Sequence, residues 1–146
     1  MDKLFSSILT YFCFLCSCVI AQPSIREQSF TEIYNGAHWG KNQEGIGTSG
    51  IGSVVENVQP YMEFIQKFIE QNEIKSVVDF GCGDWALSRH IDWHGAVYVG
   101  IDVVKTMIER NREQFSRDTT FFIHEDGLDI SLPKADLLIC KDVLQH

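Results

Sequence analysis

Val77-Val78-Asp79-Phe80-Gly81-Cys82-Gly83-Asp84-Trp85 decides the fold. A β-branched run from Lys75 that closes in Gly81-Cys82-Gly83 reads as a buried strand ending in a tight turn. Glycines after a strand let a ligand lie close against bare backbone amides, and a helix opening there adds a favourable dipole. A dinucleotide site needs a third glycine beside the pyrophosphate. Trp85 or Ala86 holds that place here, after the acidic Asp84, and a carboxylate beside a pyrophosphate is repulsive. A cationic ligand suits this turn better.

Outward from the turn, strands and helices alternate. Asp84 to Ile91 is expected as a short helix, and Ala96 to Asp102 as a second strand. Val104, Met107, Ile108 and Phe115 mark the inner face of a second helix that ends before Asp118. Thr119 to His124 is a third strand and Asp136 to Cys140 a fourth. Upstream, Ser53-Val54-Val55-Glu56 fits a capping box that opens a helix. Pro60 is expected to kink or restart it, and Tyr61, Met62, Ile65, Phe68 and Ile69 share one face before an end near Asn72. Nearly all-apolar strands between helices mean a parallel sheet covered on both faces. The expected class is α/β, a Rossmann-like three-layer α/β/α fold. It is expected to be incomplete at the C-terminus, because only four strands precede His146 where such sheets carry about five or six.

The first 21 residues read differently. Lys3 precedes an apolar run from Ile8 to Ala21 interrupted only by Thr10 and Ser17, and Val19-Ile20-Ala21 forms a small-residue exit before Gln22. That is the grammar of a secretory signal peptide, although Asp2 offsets Lys3. Cleavage implies a secreted chain; an uncleaved leader implies a membrane anchor, with membrane contact only through residues 1–21. A fortuitous leader implies a cytoplasmic protein. Leu15-Cys16-Ser17-Cys18 also loosely resembles a bacterial lipoprotein box, with Cys18 as the lipidated residue. Beyond the leader, which holds Cys13, Cys16 and Cys18, only Cys82 and Cys140 remain; both sit in strand contexts and are expected as buried thiols without a disulfide. Residues 22–52 are polar and glycine-rich (Gly36, Gly40, Gly45, Gly47, Gly50, Gly52) and show no helix or strand period. They read as an arm, either a lid over the site or a linker. The expected organisation is therefore 1–21 leader, 22–52 arm and 53–146 folded domain.

Twenty acidic residues against 12 basic ones give a net charge of −8, which argues against non-specific nucleic-acid binding. The acidic residues are placed in a pattern. Asp102 ends the second strand 23 residues after Asp79, one βαβ step on, where a carboxylate accepts both hydroxyls of a ribose. Asp126-Gly127 follows the third strand at the same sheet edge. All three carboxylates converge on the crevice outside the strand ends. His90, His94 and His124 lack metal-ligand spacing, so no metal is expected.

Asp79–Trp85, Tyr98-Val99-Gly100-Ile101-Asp102 and Ala135-Asp136-Leu137-Leu138-Ile139-Cys140-Lys141-Asp142-Val143-Leu144-Gln145-His146 together resemble the class I S-adenosylmethionine-dependent methyltransferases over residues 53–146. The resemblance implies S-adenosylmethionine as cofactor and methyl transfer to an acceptor not specified by the motifs. It places Asp79, Gly81 and Gly83 at the methionine end and Asp102 at the ribose. Val103 then flanks the adenine, Asp126 bonds the adenine amino group with Gly127 beside it, and Lys141 lies near the methyl-bearing sulfur. Asp142 or His146 is a candidate general base where the acceptor needs deprotonation, although proximity and alignment carry much of such a transfer. The family's last strands, which shape the substrate pocket, are missing from the stretch. The alternatives are a non-enzymatic or degenerate cofactor-binding fragment and an NAD-dependent oxidoreductase.

Overall fold

The computed structural model describes residues 22–42 and 47–145, with backbone alone for residues 55–57. The leader, with Cys13, Cys16 and Cys18, and the base candidate His146 lie outside the described residues.

Four parallel strands form one sheet: β1 (Ser76–Phe80), β2 (Val97–Asp102), β3 (Thr120–His124) and β4 (Leu137–Ile139), in spatial order β3-β2-β1-β4. The expected strands are all present within a residue or two of their expected ends. The chain runs outward from β1 to β3 and then crosses back to β4, so the order reverses between β1 and β4. That reversal opens a crevice at the carboxyl ends of the strands.

Among the described residues three α-helices accompany the sheet: α1 (Ile25–Asn35), α2 (Val55–Gln71) and α3 (Lys105–Phe115). Met62, Ile65 and Ile69 on α2 and Ile108 on α3 share a core with Val77, Tyr98, Phe122 and Ile139. By register these four strand residues stand on one sheet face, so both helices pack there. The expected cover on the other face is thin. Among the described residues only the irregular 125–136 crossover lies between β3 and β4, and Val97, Phe121 and Leu138 on that face are 41%, 46% and 56% exposed. No described helix is long and apolar enough to cross a membrane.

Three local expectations are corrected. The segment 22–52 is not wholly irregular, for α1 forms inside it. Ser24 caps α1 by accepting the Glu27 amide at 3.0 Å. The helix docks through polar contacts and two aromatic side chains, Tyr34 and Phe30, packed with Val104 and Met107, which leaves only a short apolar stripe to read. Second, α2 opens at Val55 after the non-capping Val54, because Ser53 is spent in a 3-10 turn over Ile51–Ser53. It runs without interruption through Pro60, whose lost amide falls near the helix start on an exposed side. Third, Asp84–Ile91 forms no α-helix, only turns and a 3-10 turn at Ser88–His90. Trp85 there takes a left-handed φ of 56°, which breaks any helix.

At the foot of the sheet, Asp136 stitches β4 to β1. Its Oδ2 accepts the amides of Lys75 and Ser76 and the Ser76 hydroxyl, each at 2.9 Å. The bonds hold its carboxyl below the usual carboxylate range.

Candidate functional site

The crevice at the strand ends is a cavity of about 700 Å³, within the ordinary range of small-molecule sites. Asp79, Gly81, Asp102, Val103, Asp126, Gly127 and Lys141 all line it, as does Asp142. Gly83 stands just behind the wall, buried.

The glycine turn differs from expectation in one respect that matters for ligand choice. Every amide from Gly81 to Ala86 is already engaged. Gly81 and Cys82 both donate to the Ile101 carbonyl, at 2.8 and 3.1 Å. Gly83 donates to Asp102 Oδ2 at 2.9 Å and Asp84 to Ser49 Oγ at 3.1 Å. Trp85 donates to the Cys82 carbonyl at 3.3 Å and Ala86 to Asp84 Oδ1 at 3.2 Å. The bare amides expected at this turn are absent. It has no donors left with which to cradle a phosphate.

Asp102 holds the turn from β2. Besides Gly83 it accepts the Val104 amide through Oδ1 at 2.9 Å, and each oxygen keeps a second lone pair for a ligand hydroxyl. Burial raises its pKa, and the backbone amides offset part of that rise. Asn111, fully buried on α3, donates to the Gly83 carbonyl at 2.8 Å from the other side. Gly83 itself has φ of 56°, and a Cβ there would collide with Ser49 Oγ and Tyr34 Oη. Glycine is thus required both by conformation and by space.

Asp79 lies at the floor of the crevice. Its Oδ2 accepts the Tyr98 hydroxyl at 2.5 Å and the Ser88 hydroxyl at 3.2 Å. Burial pushes its pKa up to about 6, against the pull of both hydroxyls. Trp85 packs beneath the turn against Tyr98, Phe115 and Phe122, with ring centroids 5.0 to 5.6 Å away.

The arm reaches over the turn. Ser49 Oγ donates to Asp84 Oδ1 at 2.9 Å and its amide donates to Asp84 Oδ2 at 3.2 Å. With that proton committed, the 2.8 Å contact between Tyr34 Oη and Ser49 Oγ has the tyrosine as donor. At the Asp126 end, Arg26 Nε donates to Asp126 Oδ2 at 2.7 Å and Ser24 Oγ to the same oxygen at 3.0 Å. Burial would raise the Asp126 pKa, but these two bonds overturn it and hold the carboxyl below its ordinary value. α1 therefore closes one end of the crevice. At the opposite end Lys141 Nζ donates to the Gly52 carbonyl at 2.8 Å, pairs with Asp142, and stands 5.9 Å from the Tyr61 ring centre. Burial, followed by the charges of Asp79 and Asp142, pushes the Tyr61 hydroxyl up to about 12.

Arg26 and Lys141 are the two Lys or Arg residues lining the cavity, and each is already paired with a carboxylate. The lining is net acidic. Cys82 and Cys140 are free thiols, Cys82 buried in the core. Among the described residues no cluster of three metal-ligating side chains forms.

Arg26, Tyr34, Ser49, Tyr98 and Asn111 all serve this site, and none was singled out for it from sequence. Tyr98 and Asn111 carried a signal, since each is a polar residue at an apolar-facing position of a buried element.

Comparison with known proteins points the same way. Residues 78–146 match the model of the methyltransferase domain family. A curated relative, a ubiquinone biosynthesis O-methyltransferase of Coxiella burnetii (strain Dugway 5J108-111), is 29% identical over 87 residues, covering 55% of this chain and 37% of the relative. The chain thus spans under two-fifths of the length of the curated relatives it matches. Among solved structures, magnesium protoporphyrin IX methyltransferase from Synechocystis PCC 6803 with bound SAH aligns at a TM-score of 0.57 and 20% identity, over 82% of this chain and 58% of that one. The same enzyme with bound SAM aligns at 0.57 and 19%, over 87% and 64%. At such identities the structural likeness speaks for the fold.

Proposed function

We propose that this chain, whose residues 78–146 match the model of the methyltransferase domain family, is a class I S-adenosylmethionine-dependent methyltransferase, that the crevice binds S-adenosylmethionine and that the protein transfers its methyl group to an acceptor. The observation that carries this reading is the glycine turn. Its amides are all engaged and its surroundings are carboxylates, an environment that repels a pyrophosphate and attracts a cation. The same observation counts against the NAD-dependent reading.

When bound, the cofactor supplies a methyl group already activated on a sulfonium. The chain's residues then bind and orient. Asp79 faces the α-ammonium, Gly81 lines the methionine end with Gly83 shaping the turn behind it, and Asp102 accepts the ribose hydroxyls through its remaining lone pairs. Val103 flanks the adenine, with Asp126 and Gly127 at its amino edge. Asp126 is shared there with Arg26, so α1 is part of the binding surface. Lys141 lies at the acceptor end, beside Tyr61, Val143 and Leu144. Asp142, held by Lys141, is the described base candidate for an acceptor that must lose a proton.

Calorimetric titration of the full chain tests the reading. S-adenosylhomocysteine is expected to bind and NAD is not. Binding of NAD in preference to S-adenosylhomocysteine overturns it.

A further inference from the structure

Tyr98, the second residue of β2, is fully buried, caged by Trp85, Trp93 and Phe122 with ring centroids at 5.6, 4.7 and 6.2 Å. Phenylalanine would fill the same space without a hydroxyl to satisfy. A buried hydroxyl costs free energy unless it is bonded, and the described partner of this one is Asp79. The register explains the reach. Tyr98 pairs with Val77 and Gly100 with Asp79, so Tyr98 and Asp79 share a face one pleat apart, with only a glycine beside the carboxylate on the β2 side. Ser88, positioned by the Trp93 indole that donates to its carbonyl at 3.2 Å, gives a second donor to the same Oδ2.

We propose that Tyr98 is a positioning residue for cofactor recognition: by donating to Asp79 Oδ2 it keeps Asp79 anionic and fixed at the crevice floor, which makes binding of a cationic ligand proton-linked through this pair. The proposal rests on the cofactor reading above. Burial drives Asp79 toward its neutral form, and the two hydroxyl donors oppose it. The other groups that face Asp79 are Asp102 and Lys141, of opposite sign, with Tyr61, Cys82 and Cys140 neutral around it. Loss of the Tyr98 hydroxyl therefore shifts Asp79 toward protonation, and a ligand ammonium loses its counter-charge near neutral pH.

The test is S-adenosylhomocysteine affinity measured from about pH 5 to 7.5, below the ordinary α-amino range of about 7.7–8.0, so that the ligand keeps its α-ammonium. Wild-type affinity is expected to rise as pH passes the Asp79 midpoint at about 6 and then to level. Tyr98→Phe is expected to move that midpoint up by about one unit, the worth of roughly one hydrogen bond to a charged group. Its affinity falls several-fold near pH 6 and about twofold at pH 7, and recovers toward the alkaline end. Ser88→Ala moves it the same way by less, and Asp79→Asn is weak and flat throughout. An unchanged midpoint in Tyr98→Phe, or equal weakening at every pH, overturns the proposal. Should Tyr98→Phe not fold, Ser88→Ala decides by the same criterion. Wild-type binding without pH dependence overturns the proposal and spares the cofactor reading; no wild-type binding at any pH overturns both.

Discussion

Asp102 Oδ2 accepts the Gly83 amide at 2.9 Å, across 19 residues of sequence, so the carboxylate assigned to the ribose also ties the glycine turn to β2. Asp102→Ala is expected to remove both functions. S-adenosylhomocysteine affinity should fall by roughly 1.5–3 kcal/mol, the scale of hydrogen bonds to a charged group. Calorimetry measures it, and unchanged affinity would show that Asp102 serves the turn alone.

Gly83→Ala places a methyl group against Ser49 and Tyr34 at a left-handed φ. Strain of that kind costs on the order of 1–3 kcal/mol. Urea denaturation is expected to show that loss, and S-adenosylhomocysteine binding should weaken as the arm is pushed off Asp84. A variant as stable as the parent would contradict the packing of the arm over the turn.

The unliganded chain should lose stability as pH rises past Asp79. Folded Asp79 holds its proton to about pH 6, the unfolded residue only to its ordinary 3.8. The contribution is thus complete below about pH 4 and gone above about 6. Asp102, also raised by burial, adds with the same sign. Asp126 and Asp136 act oppositely, because their lowered values contribute stability above about pH 4 that is lost on acidification. Between pH 5 and 7 the Asp79 contribution falls by about 1 kcal/mol by linkage. Urea midpoints of the parent against Asp79→Asn at both pH values measure it; parallel shifts in the two proteins would refute it.

Arg26→Ala should leave the melting temperature nearly unchanged, since Arg26 is half exposed and such pairs contribute little to global stability. The effect is expected locally. Amide exchange in α1 and in the Asp126 loop should accelerate, while that of β1 and β2 stays as before. Equal protection of α1 in parent and variant would mean that its other anchors, Tyr34 and Phe30 among them, hold the helix without Arg26.

How much of this was legible beforehand follows from what each element packs against. β1 to β4 are apolar runs buried by their neighbours, so composition and period disclose them. Asp79, Asp102 and Asp126 were legible because strand ends in a parallel sheet share one edge, and spacing reports the edge. α1 escaped because Ser24, Arg26 and Glu27 dock it through polar partners, His124 among them, and such helices leave only a short stripe. The expected helix after Gly83 failed because Trp85 turns left-handed to reach the core, a demand set by residues far along the chain. Ser49 over Asp84 is likewise a contact between distant residues that no local pattern announces.

The stitch at Asp136 has a consequence for how the molecule assembles. β1, β2 and β3 each pair with a strand close in sequence, whereas β4 must find Ser76 across 60 residues, a closure with a larger entropic cost. β4 has only three residues, Leu137–Ile139, with which to recover it. A slip of one position would turn Leu138 into the core and Ile139 out of it. By gripping Lys75 and Ser76 before the ladder begins, Asp136 sets the register of the strand whose closure carries that larger cost.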